Sequence, residues 1–101
     1  MYLAVDIGAT KVLLAVFSSS GKLVEQFKFP TPKTYQGLVS ALEDATTNLE
    51  NKDFKRAAVA VPGRLDRKNG IGIAFGNRNW RNVPIRRDAE RVLGCPVVIE
   101  N

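Results

Sequence analysis

The sequence predicts an α/β domain: a five-stranded mixed sheet with helices packed on it and a β-hairpin inserted after the fourth strand. Three observations carry this reading. Two apolar runs, Tyr2-Leu3-Ala4-Val5 and Val12-Leu13-Leu14-Ala15-Val16-Phe17, flank a short polar turn, and a third, partly exposed run follows them. From Tyr35 to Leu49 apolar residues then recur at three- and four-residue steps, the spacing of an amphipathic helix. Two further short apolar runs, Ala57–Val61 and Pro96–Ile99, are bounded by charged or turn residues and suit strands buried inside a sheet. A length of 101 residues bounds the chain at one domain, residues 1–101, and 45% hydrophobic with 25% charged residues is ordinary globular composition.

Each element has a local reason. Ser18-Ser19-Ser20-Gly21 is a turn, and Lys22 to Phe29 reads as the third strand with Leu23, Phe27 and Phe29 on one face. Pro30 and Pro32 end it. Thr34 is the expected N-cap of a helix reaching about Asn51, with Tyr35, Leu38, Val39, Leu42, Ala45 and Leu49 on its apolar side. Ala57–Val61 is the fourth strand, closed by Pro62-Gly63. Asn69-Gly70 is a two-residue hairpin signal joining Leu65–Lys68 to Ile71–Phe75. Pro84 takes a first-turn helical position, Ile85, Ala89, Val92 and Leu93 share a face, and Gly94 stops the second helix. Pro96-Val97-Val98-Ile99 completes the sheet.

Composition excludes several chemistries. There is no histidine, and the single cysteine, Cys95, permits no internal disulfide and makes a zinc site of the usual kind implausible. Cys95, beside Pro96, reads as a small core or strand-edge residue, and acid–base chemistry would fall to carboxylates. The longest apolar run is Val12–Phe17, so neither a secretory signal nor a membrane span is expected, and a cytoplasmic location is the default. The net charge of +5 is concentrated in Arg64, Arg67, Lys68, Arg78, Arg81, Arg86, Arg87 and Arg91. Such an excess suits an anionic ligand, an acidic partner, a nucleic acid or a solvated face; without interleaved aromatics, nucleic acid is the weak member of that set.

The turn Asp6-Ile7-Gly8-Ala9-Thr10-Lys11 has the residue types of a phosphate-and-magnesium site. Asp6, at the end of a buried strand, calls for a countercharge, and hydrated Mg²⁺ held by one carboxylate plus phosphates supplies one. Gly8 permits close backbone approach or positive φ, Thr10 offers a hydroxyl and Lys11 a cation, while a concavity of N–H groups attracts phosphate oxygens. Turn geometry alone would select many of the same residues.

Later motifs make the resemblance specific. Asp6–Lys11 resembles the first phosphate motif of the ROK family of repressors and kinases, with Ala9 where that family usually has glycine. Val59-Ala60-Val61-Pro62-Gly63-Arg64-Leu65-Asp66 resembles the family's Pro-Gly turn. Gly76-Asn77-Arg78-Asn79-Trp80, followed by Val83-Pro84-Ile85, is similar to its Trp-ending sugar loop, with Arg78 where leucine is usual. Val97-Val98-Ile99-Glu100-Asn101 resembles the strand leading to its Asn-Asp catalytic step.

The resemblance implies a ribonuclease H-like lobe of the actin and hexokinase type, from an ATP-dependent kinase acting on glucose or a related hexose. It implies that Asp6 helps hold Mg²⁺, that Gly8, Thr10 and Lys11 face the ATP phosphates, and that Gly63, Arg64, Asn77 and Asn101 line the sugar pocket. Asparagine suits a sugar because one amide offers both donor and acceptor. Trp80 is expected to pack beneath its loop. The catalytic base is expected directly after Asn101, so residues 1–101 read as an N-terminal lobe truncated before it, inactive alone, with a bare apolar sheet face for self-association or partner docking. A non-catalytic lobe that dimerises or binds a partner is the alternative. A ribonuclease H-type nuclease would need several carboxylates converging on two metals, whereas the fourth strand ends in Pro62-Gly63-Arg64. The family's repressors normally place a helix-turn-helix ahead of the lobe, whereas the first strand here begins at Tyr2.

Overall fold

The computed structural model describes residues 1–101. Strands β1 (Tyr2–Ile7) and β2 (Lys11–Phe17) form an antiparallel hairpin with Val5 opposite Leu14, and β3 (Leu23–Pro30) adds antiparallel to β2. Helix α1 (Tyr35–Asn48) crosses to β4 (Arg56–Ala60), which runs parallel to β1. An insertion of β5 (Arg64–Asp66), β6 (Ile71–Phe75) and β7 (Arg78–Val83) follows. Helix α2 (Ile85–Leu93) then returns the chain to β8 (Val97–Glu100), parallel to β4. The main sheet has the order β3-β2-β1-β4-β8, the five-stranded mixed sheet read from the sequence.

Strand alternation decides where the core sits. Leu3, Val5, Ile7, Val12, Leu14, Val16, Val59 and Ile99 face one side and are buried against Leu38, Leu42 and Ala45 of α1 and Ile85, Ala89 and Leu93 of α2. The other side of the sheet has no helix on it. Ala15, Ala4 and Ala58 form a row of small residues there, with Tyr2 39% and Val98 55% exposed. This is the bare apolar face expected from the sequence. No helix is long and apolar enough to cross a membrane.

Helix ends follow side-chain chemistry. Thr34 Oγ1 accepts the Gly37 N–H at 2.9 Å, the N-cap expected from the sequence. The helix stops at Asn48 rather than near Asn51 because Glu25 of β3 captures the next donors: its carboxylate accepts the N–H of Glu50 at 2.8 Å and of Asn51 at 3.2 Å. At the end of α2, Gly94 is left-handed at φ 70° and its N–H returns to Glu90 O at 2.9 Å. The helices are tied by Tyr35, whose hydroxyl donates to Asp88 Oδ2 at 2.6 Å.

Two expectations need correction. Leu23 does not share the face of Phe27 and Phe29; the ladder shifts register at Val16/Phe17, leaving Leu23 44% exposed and Glu25 in the alternating series. The expected hairpin β5–β6 is present, but β5 ends at Asp66, opposite Ile71, so its turn is Arg67–Gly70 rather than Asn69-Gly70 alone. Strand β7 extends it into a separate three-stranded sheet, so Arg78–Trp80 is strand rather than loop. Its polar residues hide the alternation, in which only Trp80 is fully buried. The Trp80 ring stands edge-on to Phe75 at 5.0 Å and to Tyr35 at 6.1 Å, and its Nε1 donates to Lys33 O at 2.9 Å. It packs beneath its turn, as expected. Cys95 is buried, also as expected, and burial pushes its thiol pKa up.

The Glu25 bonds have a pH signature. The Glu50 N–H, then the Asn51 side chain, hold its carboxyl below the ordinary 4.5. A depressed folded pKa stabilises the fold above 4.5, and that contribution fades as pH falls through the lowered value. Urea unfolding should therefore find Glu25→Gln less stable than the parent at neutral pH, with the two midpoints converging in acid.

Candidate functional site

Parallel pairing places three loops at one sheet edge. Asp6 lies opposite Ala60, and Ala60 opposite Glu100, so β1, β4 and β8 all end at the same level. The turn after β1, the Pro62-Gly63 turn and Asn101 therefore meet. Between them is a groove of about 470 Å³ bordered by Asp6, Gly8, Ala60, Pro62 and Asn101. A second cavity of about 130 Å³ lies between Gly8, Thr31, Asn77, Arg78 and Trp80. Ile7, Gly8 and Pro62 form the wall between the two.

The first turn is tight. Gly8 N–H donates to Lys11 O at 2.9 Å, and a Cβ at Gly8 would meet that same oxygen at 2.9 Å. Gly8 is not left-handed, so the need for glycine here is space. Its N–H is taken by Lys11, whereas the N–H groups of Ala9 and Thr10 are engaged by no other group of the chain. Asp6 and Thr10 are exposed, and Lys11 is exposed at the start of β2.

Thr31, which sequence reasoning passed over, holds this turn. It is the one buried polar residue, its Oγ1 donates to Gly8 O at 2.8 Å and its N–H to Thr10 O at 3.0 Å. The available signal was a hydroxyl residue between Pro30 and Pro32, where neither neighbour has an N–H to give.

The Pro-Gly turn is equally constrained. Gly63 is left-handed at φ 98°, and a Cβ on it would overlap Ala74 O of β6. Asn101 locks this turn: its Nδ2 donates to Gly63 O at 2.6 Å and to Val61 O at 3.3 Å. Its Oδ1 accepts from Arg67 Nη2 at 3.3 Å, and the same guanidinium pairs with Glu100 at 3.1 Å. Asn77 is exposed in the β6–β7 turn after left-handed Gly76. Arg64 is exposed at the start of β5, opposite Ala74, and like Lys11 borders neither cavity. The structure thus gathers Asp6, Gly8 and Asn101 around the groove, keeps Thr10 and Gly63 in the two turns beside it without lining either cavity, sets Asn77 across the smaller cavity, and leaves Lys11 and Arg64 peripheral.

The basic excess is largely engaged within the molecule. Arg67, Arg87 and Arg91 pair with Glu100, Asp88 and Glu43. Arg78, Arg81 and Arg86 donate instead to backbone carbonyls.

Comparison with known proteins matches residues 2–101 to the ROK family. The chain is 29% identical over 100 residues to a glucokinase of Streptomyces coelicolor, covering 98% of this chain and 32% of that protein. It is 33% identical over 104 residues to an N-acetyl-D-glucosamine kinase of Haemophilus influenzae, covering 100% and 34%. Among solved structures, a ROK glucokinase from Streptomyces griseus in complex with glucose and AMPPNP superposes with a TM-score of 0.87 at 33% identity, covering 99% of this chain and 32% of that one. The chain spans about a third of the length of these relatives. The fold is the actin- and hexokinase-like lobe expected from the sequence.

The Gly63 geometry sets a test. Gly63→Ala combines a left-handed φ with overlap onto Ala74 and should cost about 1–3 kcal/mol in urea unfolding. Gly21→Ala, at φ 85° with nothing within 4 Å, should cost only about 1 kcal/mol.

Proposed function

Because the chain belongs to the ROK family, we propose that it is the N-terminal lobe of an ATP-dependent sugar kinase that transfers the γ-phosphate to a hydroxyl of glucose or a related hexose. The observation that carries this is the meeting of the Asp6–Lys11 turn, the Pro62-Gly63 turn and Asn101 at one sheet edge, with Asn77 facing them. The kinase names of the relatives, and the glucose and AMPPNP bound to one of them, support it.

Phosphoryl transfer relies on positioning and charge stabilisation rather than covalent chemistry of the protein. The open N–H groups of Ala9 and Thr10 are donors for phosphate oxygens, with the Thr10 hydroxyl and Lys11 beside them. Asp6 contributes a hard carboxylate oxygen to the groove. No cluster of three metal-ligating side chains accompanies it, and one carboxylate plus phosphates and waters is the donor set that suits Mg²⁺. When bound, Mg²⁺ would neutralise charge on the phosphates. Asn77 offers donor and acceptor to sugar hydroxyls, and Gly63 brings bare backbone to the sugar. Asn101, by fixing the Gly63 carbonyl, shapes that backbone, and Arg64 follows Gly63 at the start of β5, outside the lining of the pocket. We assign the base to the position after Asn101, which leaves residues 1–101 inactive alone.

A second reading rests on the bare face around Tyr2, Ala4, Ala58 and Val98: the lobe self-associates or docks a partner there. Sedimentation should then show a concentration-dependent dimer that Val98→Lys abolishes.

The kinase reading is tested by replacing the matching third of the Streptomyces griseus glucokinase with this chain and following ADP release with a panel of hexoses. Activity should appear, fall about 100-fold or more in Asp6→Asn, and show a KM for sugar raised about tenfold in Asn77→Ala. A folded but inactive chimera would contradict it.

A further inference from the structure

We propose that residues 31–33 form a strap through which Arg78 positions the phosphate turn, so that sugar at the Asn77 turn is felt by the N–H groups of Ala9 and Thr10. The inference rests on the kinase reading for its ligands, but the strap itself is a matter of geometry.

Three consecutive carbonyls of the strap accept from side chains of β7. Arg78 Nη2 donates to Thr31 O at 3.1 Å, Arg78 Nε to Pro32 O at 3.1 Å, and Trp80 Nε1 to Lys33 O at 2.9 Å. The two donors of Thr31 point the other way. Thr31 N–H reaches Thr10 O at 3.0 Å and Thr31 Oγ1 reaches Gly8 O at 2.8 Å. Pro32, lacking an N–H, adds stiffness without a competing donor. Arg78 directly follows Asn77, and both line the cavity whose opposite wall is Gly8, Ala9 and Thr31.

The guanidinium has no carboxylate partner and meets two neutral carbonyls instead. Charge-assisted bonds in a forked geometry are stronger and more directional than neutral ones, which suits a positioning residue. Leucine at this position could fill the cavity wall but could not hold the strap. A shift of β7 on binding sugar would therefore move the Thr31 and Pro32 carbonyls, and with them the two bonds that shape the turn.

Amide hydrogen exchange of the chain, read by NMR, tests the strap without any ligand. Arg78→Leu should speed exchange at Thr31 and Gly8 about tenfold, with Val59 in the core of the sheet unchanged, and Arg78→Lys should restore part of the protection. Thr31→Val should loosen Gly8 while leaving the amides of β6 and β7 untouched. Unchanged exchange at Thr31 and Gly8, or an equal rise at Val59, would overturn the strap. Glucose titration then tests the coupling. In the parent chain, glucose should shift the amide signals of Ala9 and Thr10 as well as those of Gly76 and Asn77; in Arg78→Leu only the latter pair should move. Equal shifts of Ala9 and Thr10 in both proteins would overturn transmission through Arg78. If glucose shifts nothing in the parent, the sugar reading fails and the coupling with it, while the exchange result still decides the strap.

Discussion

The parallel pairing of β1, β4 and β8 is the constraint on which the rest depends. Parallel neighbours cannot be joined by a tight turn, so the chain must cross over between them, and here α1 makes one crossing and the insertion with α2 makes the other. Both helices land on one face and seal it, which buries Leu3, Val5, Val59 and Ile99. The strands then end together, and everything that leaves them is delivered to one edge, where open α/β sheets place their ligands. Asp6 and Asn101 are close because of this register, although the whole chain separates them.

Polar side chains behind and beside that edge act on backbone. Thr31 donates to Gly8 and Thr10, Asn101 to Val61 and Gly63, and Arg78 to Thr31 and Pro32. Each bond satisfies a loop carbonyl that has no ladder partner, and buried carbonyls without partners are costly. Loops fixed in this way can present their remaining N–H groups to a ligand without reorganising. The site is thus built from two layers: exposed groups that face the groove, and a set of side chains behind them that hold those groups still. No buried side-chain polar atom is left without a partner.

Much of this was legible in the sequence, because its signals are local. Periodicity marked β1, β2, α1 and α2, Thr34 and Gly94 marked helix ends, and Asn69-Gly70 marked the β5–β6 hairpin. The two turns of the candidate site were legible as motifs: Gly63 needs its glycine through a left-handed φ, and Gly8 through crowding by Lys11. What could not be read depends on contacts between distant segments. The early end of α1 is set by Glu25, some two dozen residues upstream, and the outward turn of Leu23 by a register shift. The strand character of Arg78–Val83 was masked because its exposed positions carry asparagine and arginine and only Trp80 is deeply buried. Thr31 and Arg78 matter through each other, and no window of sequence contains both.

The most direct measurement is a crystal structure of the chain soaked with glucose, AMPPNP and Mg²⁺. The account predicts phosphate oxygens on the N–H groups of Ala9 and Thr10, Mg²⁺ beside Asp6, and sugar hydroxyls against Gly63 and Asn77. Ligand density only on the helix-free face around Val98, or a turn at Gly8–Thr10 that is occupied by none of these groups under saturating ligand, would contradict it.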